Sequence, residues 1–357
     1  SRRQRQMCIR DRLGGTGAMG RHVIEFLKVK KYNIFVTSRD KRENKDGVVF
    51  LQGNAKELSF ISKLCDRCWD VIIDFMVYSV EELSERIDMI LKSTNQYIFI
   101  SSARVYADSA LIKEDSPRLL DVCNDKEYLD SNEYAIAKAK EEDILFRSPN
   151  KNWTIVRPSL TYAENRLQLG VYEKENWLYR ALHGRAIVFS RDLMDKYYTL
   201  SYGKDISNGI AQLVGRQEAI GQVYNIVIKQ SFKWKEILNI YLDVLEQRLG
   251  KRPKVILTDK CTNLKLPYAK YQVLYGRYFN RHFDNEKISN LIDTTEWVLP
   301  KEGLVQCLNC FLDNPEFLKI DWHKEALIDK AAKEWTPLKE IHGNRMRIKY
   351  LKWRLWG

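Results

Sequence analysis

Tyr134 and Lys138 lie four residues apart in the stretch Tyr-Ala-Ile-Ala-Lys. On a helix that spacing puts both on one face. A phenol is a poor base near neutrality, because its reference pKa is about 10. An ammonium beside it stabilises the phenolate, so the pair can work as a general acid and base. The spacing is common by chance, and taken alone it describes surface residues more often than a site. Ser101-Ser102 is the next candidate, directly after the apolar run 97–100. A hydroxyl at the C-terminal end of a parallel strand faces the crevice where ligands bind. Ser102 there would orient a substrate hydroxyl or carbonyl for Tyr134, whereas the bland alternative is a serine that caps the following loop.

A phosphate cradle stands earlier in the chain. Gly14, Gly17 and Gly20 are spaced by three in Gly-Gly-Thr-Gly-Ala-Met-Gly, with Ala18 and Met19 between the last two. Helical apolar spacing follows at Val23, Phe26 and Leu27. A glycine loop that opens a helix aims several backbone N–H groups at one point, and the helix dipole adds positive charge. Glycine is needed because a Cβ would hold a pyrophosphate away from the backbone. By itself the loop is as well read as an ordinary Gly-rich turn. After the apolar run 33–37 come Ser38, Arg39 and Asp40. An arginine here accommodates a 2′-phosphate and an acid binds the ribose hydroxyl. Thr37-Ser38-Arg39 therefore favours NADP, while Asp40 keeps NAD open.

The elements that must position these residues alternate. Strands are expected at 33–37, 48–51, 71–75, 97–100 and 153–156, with helices at 56–64, 81–92 and 134–146. Arg157-Pro158 should stop the last strand. This order argues an α/β fold, a Rossmann-type doubly wound parallel sheet. Beyond it an irregular stretch runs to residue 195, then come a strand at 223–227, a helix at 235–249 ended by Gly250, and a strand at 253–257. That mixed region reads as a smaller C-terminal α/β lobe over the substrate. The boundaries expected are 1–160 for the nucleotide-binding domain, 161–344 for the lobe, with 186–230 partly returning to the sheet, and 345–357 for a tail. One element looks wrong. A buried parallel strand should precede the glycine loop as a continuous apolar run, yet Arg10-Asp11-Arg12-Leu13 stands there. Residues 7–12 resemble translated sequencing-adapter read-through, so the first strand is expected to be damaged.

The chain has 357 residues and a formal charge of +12, which invites anionic partners, although a basic surface with no single partner is the favoured reading. Seven cysteines, an odd number in a long chain, fit reduced thiols in a cytoplasm. No run approaches 18 apolar residues, and no signal-peptide core follows the basic start. Cys65-x-x-Cys68 and Cys307-x-x-Cys310 have the spacing of a four-thiolate zinc site, but they fall in different lobes, and no metal is expected. The tail from Arg345 mixes basic and aromatic residues. A membrane-surface contact has that composition, but a helix packed on the lobe is favoured.

The segments GGTGAMG at 14–20, FISSARVYA at 99–107, YAIAK at 134–138, VRPSLTY at 156–162 and DISNGI at 205–210 together resemble the extended short-chain dehydrogenase/reductases. This is also called the NAD-dependent epimerase/dehydratase family, and the resemblance spans about residues 13–310. It implies a bound NAD or NADP and a nucleotide-sugar substrate; a homodimer is one open oligomeric state, and nucleic acid is not an expected partner. It also implies that Gly14, Gly17, Ala18, Met19 and Gly20 hold the pyrophosphate. Ser38, Arg39 and Asn54 would serve the adenosine end, with Asn54 standing where the family carries Asp. Asp74 and Phe75, where apolar and small residues are usual, would flank the cofactor together with Ser101, Pro158 and Ser159. Ser102, Tyr134 and Lys138 would be the catalytic set, with Lys138 also touching the nicotinamide ribose.

Members that dehydrate nucleotide sugars carry an Asp-Glu pair after the catalytic Ser or Thr, and this chain has Ala103-Arg104. Without that acid, 4,6-dehydration is disfavoured. Epimerisation needs only Ser, Tyr, Lys and the cofactor, and so does ketone reduction, the alternative that Arg39 favours. A cofactor-sensing or RNA-binding member of the fold is the rival of another class. The intact Ser-Tyr-Lys set argues against it.

Overall fold

Strands buried on both faces need apolar side chains at nearly every position. The computed structural model describes residues 6–10, 19–267 and 269–356. Among them, β1 (Gln6–Arg10), β2 (Asn33–Ser38), β3 (Val48–Gln52), β4 (Trp69–Asp74), β5 (Thr94–Ile100), β6 (Trp153–Pro158) and the strand Gln222–Ile226 form one seven-stranded sheet. All neighbours are parallel, in the order β3-β2-β1-β4-β5-β6 and then Gln222–Ile226. The direction of winding reverses between β1 and β4, which opens the ligand crevice at the carboxyl ends there. Separate apolar clusters cover the two faces. One joins Val23 and Leu27 to Ile206 and Ile210, and the other joins Ile61 and Leu83 to Tyr97 and Ile155.

A strand stands in the first position even though its sequence is not the expected apolar run. Gln6–Arg10 pairs with β2 from Gln6 to Ile9 and with β4 from Met7 to Arg10, at the centre of the sheet. A ladder needs only main-chain N–H and C=O groups, which any residue but proline supplies. Gly14, Gly17 and Ala18 lie outside the described residues.

Other expectations shift for local reasons. The helix at 81–92 is two helices, Val80–Ser84 and Ile87–Lys92. Between them the buried Arg86 donates to the carbonyls of Ala55, Lys56 and Glu82, which turns the chain. β4 ends at Asp74 rather than Phe75, because the Asp74 carboxylate takes the N–H of Met76 at 2.9 Å. β6 runs on through Pro158, which pairs in register with Ile226. A proline at the last position costs the ladder a donor only at its end.

The region after Pro158 is more regular than its sequence. Leu160–Tyr162 pairs with Leu200–Tyr202, and Ile187–Ser190 pairs with Val255–Thr258, both parallel. Tyr197–Tyr198 pairs antiparallel with Phe232–Lys233. The helix Trp234–Leu249 packs on these around Trp177 and Tyr241, whose rings stack at 4.5 Å. The helix Gly203–Leu213 goes back to the sheet. It packs on the helix Gly20–Val29, where Ser207 Oγ donates to the Met19 carbonyl at 2.8 Å. The tail is a helix, Asn344–Trp356, with Tyr350 buried while Ile348, Leu355 and Trp356 remain exposed. Among the described residues no helix is long and apolar enough to cross a membrane.

Candidate active site

The loop after β5 and the start of the helix Tyr134–Arg147 meet above the carboxyl edge of the sheet. Ser102 begins a single 3₁₀ turn, Ala103–Val105, and its Oγ accepts the N–H of Arg104 at 3.2 Å. Glu133 caps the helix by accepting the N–H of Ala135 at 2.9 Å. Its other oxygen accepts from Arg104 Nη1 at 2.7 Å, so one carboxylate ties the serine loop to the tyrosine helix. Tyr134 is the first residue of that helix and is 40 % exposed, which leaves its phenol open to a ligand.

A cavity of about 260 Å³ brings Met19, Ser101, Ser102, Tyr134, Pro158 and Ser159 together. These six were all expected at the site. Arg104, Arg166, Gln168, Tyr198, Arg277 and Arg281 also line it, and sequence reasoning missed all but Arg104, which it noted only for lacking an acid. No periodicity or spacing could have found the lobe residues, because only the fold brings them opposite Ser102.

Lys138 takes a different position from the one expected. It is 2 % exposed and does not line the cavity. Its Nζ sits 2.8 Å from Glu141 Oε2 and 4.5 Å from the centre of the Phe99 ring. Glu141, three residues on along the same helix, holds the ammonium in the interior. Burial pushes the Glu141 carboxyl above its usual range, and Lys138 opposes that shift.

Asp74 is buried too. Its carboxylate accepts from Tyr97 at 3.0 Å and from Tyr78 at 3.2 Å, as well as from the Met76 N–H. Phe75 is partly buried against the sheet cluster that contains Val23. Ser101 donates to Glu142 at 2.6 Å, and Ser159 donates to the Thr199 carbonyl at 2.8 Å. Both hydroxyls thus position the cavity wall.

The structure suits a dinucleotide at two places. The helix Gly20–Val29 begins after Met19, whose side chain does not cap it, and has no acid in its first turn; Met19 also lines the cavity. Such a helix start satisfies an anion. Ser38 and Arg39 lie at the end of β2, and Arg39 is exposed. Asn54 sits beside the loop after β3, where its Oδ1 accepts the N–H of Lys56. That oxygen keeps a second lone pair for an adenine amine. Arg39→Ala should weaken NADP about tenfold or more and leave NAD nearly unchanged, because only NADP offers a 2′-phosphate. Fluorescence titration with both reduced cofactors checks this, and equal losses would place Arg39 away from the phosphate. Among the described residues no group of His, Cys, Asp or Glu is arranged to hold a metal.

The model of the NAD dependent epimerase/dehydratase family matches residues 13–227. No curated protein matches the sequence. Solved structures share the fold at low identity. UDP-glucuronic acid 4-epimerase from Bacillus cereus, in complex with UDP-glucuronic acid and NAD, is 16 % identical, with a TM-score of 0.62 over 84 % of this chain and 96 % of that one. Epimerase Mth375 from Methanothermobacter thermautotrophicus is 15 % identical, with a TM-score of 0.62 over 87 % and 93 %. The Bordetella bronchiseptica enzyme WbmH in complex with NAD+ is 13 % identical, with a TM-score of 0.63 over 88 % and 100 %.

Proposed function

Because the chain belongs to the NAD-dependent epimerase/dehydratase family, we propose that it epimerises a nucleotide sugar by oxidising one hydroxyl and reducing the ketone from the other face. The observation that carries this is the meeting of Ser102 and Tyr134 in one cavity with Met19 and Pro158, beside the start of the helix Gly20–Val29. A nicotinamide dinucleotide supplies the chemistry of accepting and returning hydride. Tyr134 takes the proton of the sugar hydroxyl and later gives it back. Ser102 donates to the same oxygen and orients it. Glu133 keeps the two elements in register through Arg104 and the helix cap. Lys138, one turn on along the same helix, would support the phenol only if its ammonium left Glu141, which holds it in the interior. The exposed Arg39 favours a second reading, an NADPH-dependent ketoreductase of a nucleotide sugar.

The test is to release and weigh the cofactor that co-purifies, then to supply a panel of nucleotide sugars and separate the products. An epimer formed without added cofactor is the expected result. A product that appears only with added NADPH selects the reductase. No turnover of any nucleotide sugar by cofactor-loaded protein would overturn both.

A further inference from the structure

The helix Asn344–Trp356 keeps one side on the lobe and leaves the other uncovered. On the inner side Tyr350 is fully buried. Its hydroxyl donates to Asp329 at 2.7 Å and accepts the N–H of Thr336 at 2.8 Å. The Trp353 ring stacks on His323 at 3.8 Å. Arg354 donates to the Glu334 carbonyl at 3.0 Å, with its guanidinium 4.3 Å from the centre of the Trp335 ring. These contacts fix the rotation of the helix about its axis, so the residues on its outer side form a defined surface.

The exposed residues after Asn344 are Arg345, Ile348, Lys349, Lys352, Leu355 and Trp356. They recur every three or four positions and so form one stripe along the helix. Ile348 is 67 % exposed, Leu355 50 % and Trp356 78 %. The helix carries five cations, Arg345, Arg347, Lys349, Lys352 and Arg354, and no acid. Among the described residues none of the five is in an ion pair. Acids of the adjoining segments face elsewhere: Glu325, Asp329 and Glu334 bind Arg180, Glu340 binds Arg185, and Asp321 caps the helix Trp322–Ala332. The charge on the stripe therefore stays positive.

That mixture selects among partners. A second copy related by a twofold axis would set this charge against itself. A nucleic acid would satisfy the cations but put Ile348 and Leu355 against phosphates. An anionic bilayer accepts both kinds of side chain. The long basic side chains reach the lipid phosphates, while the aliphatic groups and the indole enter the boundary between headgroups and acyl chains. We propose that this stripe docks the protein on an anionic phospholipid surface, with the helix lying in the plane of the membrane. The inference is independent of the nucleotide-sugar reading.

The experiment is co-sedimentation of the whole chain with vesicles of phosphatidylcholine alone, and of phosphatidylcholine with about 30 mol % phosphatidylglycerol. The parent should bind the anionic vesicles at least about tenfold more tightly than the neutral ones. The double variant Ile348→Ser with Leu355→Ser should weaken that binding about tenfold, and so should Lys349→Glu with Lys352→Glu. All four side chains are exposed, so both double variants should unfold at the parent's temperature. Trp356→Ser, at the last turn, repeats the apolar test in a single exposed position. Binding that survives the serine changes is adsorption by charge alone, and binding that survives the glutamate changes belongs to another surface. Either result overturns the inference. So does a parent that stays in solution with both vesicles, or one that binds a mixed-sequence RNA more tightly than the anionic vesicles.

Discussion

Tyr134→Phe is expected to lose about 10²–10⁴-fold in turnover while cofactor and substrate still bind, because the change deletes the only proposed acid and base. The geometry makes this a clean test. Tyr134 is the first residue of its helix, 40 % exposed, and the cap of that helix comes from Glu133 rather than from the tyrosine. Removing the hydroxyl therefore breaks no described interior bond. Ser102→Ala should cost less, since water can partly replace its hydroxyl, although the variant also loses the bond from the Arg104 N–H. The measurement is single-turnover product formation, with bound cofactor quantified in every variant. If Tyr134→Phe keeps full turnover, the epimerase and reductase readings fail together. A cofactor-binding protein without catalysis then takes their place.

Glu142→Ala should destabilise the fold by about 3–5 kcal/mol, the usual cost of breaking a buried ion pair from one side. Glu142 is fully buried on the helix Tyr134–Arg147, and Arg157 of β6 holds it with two bonds, at 2.8 and 2.7 Å. Ser101 donates to the same carboxylate, and Arg157 also donates to Tyr106 at 2.6 Å, whose hydroxyl reaches Asn225 at 2.7 Å. The network thus joins the loop after β5, β6, the helix Tyr134–Arg147 and the strand Gln222–Ile226. Removing Glu142 leaves the Arg157 guanidinium in the interior with its charge unmatched. Adding Arg157→Met to Glu142→Leu should recover most of the loss, because paired apolar replacements remove both charges. Chemical denaturation monitored by fluorescence measures this. A loss below about 1 kcal/mol for Glu142→Ala would mean that the pair is solvated and does not brace the site.

Much of the sheet was legible from local sequence. Val71 to Ile73 and Tyr97 to Ile100 are apolar at every position because both faces are covered, so runs of that kind mark central strands without any partner in view. The Tyr134–Arg147 helix was legible for a related reason, since its alanines favour helix whatever packs on it. Ser102 at a strand end and Tyr134 at a helix start are placed by elements whose ends can be read from the chain.

Other features depend on contacts distant in sequence. The break at Glu85 and Arg86 exists because a buried guanidinium reaches back about thirty residues to two carbonyls, which no helical periodicity encodes. Gln6–Arg10 reads poorly as a buried strand, yet it pairs on both sides because backbone ladders accept its residues. Lys138 stood on the right helical face, but Glu141, one turn on, draws its ammonium inward over Phe99, a choice between neighbours that spacing alone leaves open. The arginines opposite Ser102 come from segments 60–180 residues further along, and only the folding of the lobe over the sheet turns them into one wall of charge. The sequence by itself thus determined which groups could do the chemistry, because side-chain type and helical or strand period are local. The tertiary structure decided which charges surround them, because electrostatic environment depends on distance in space.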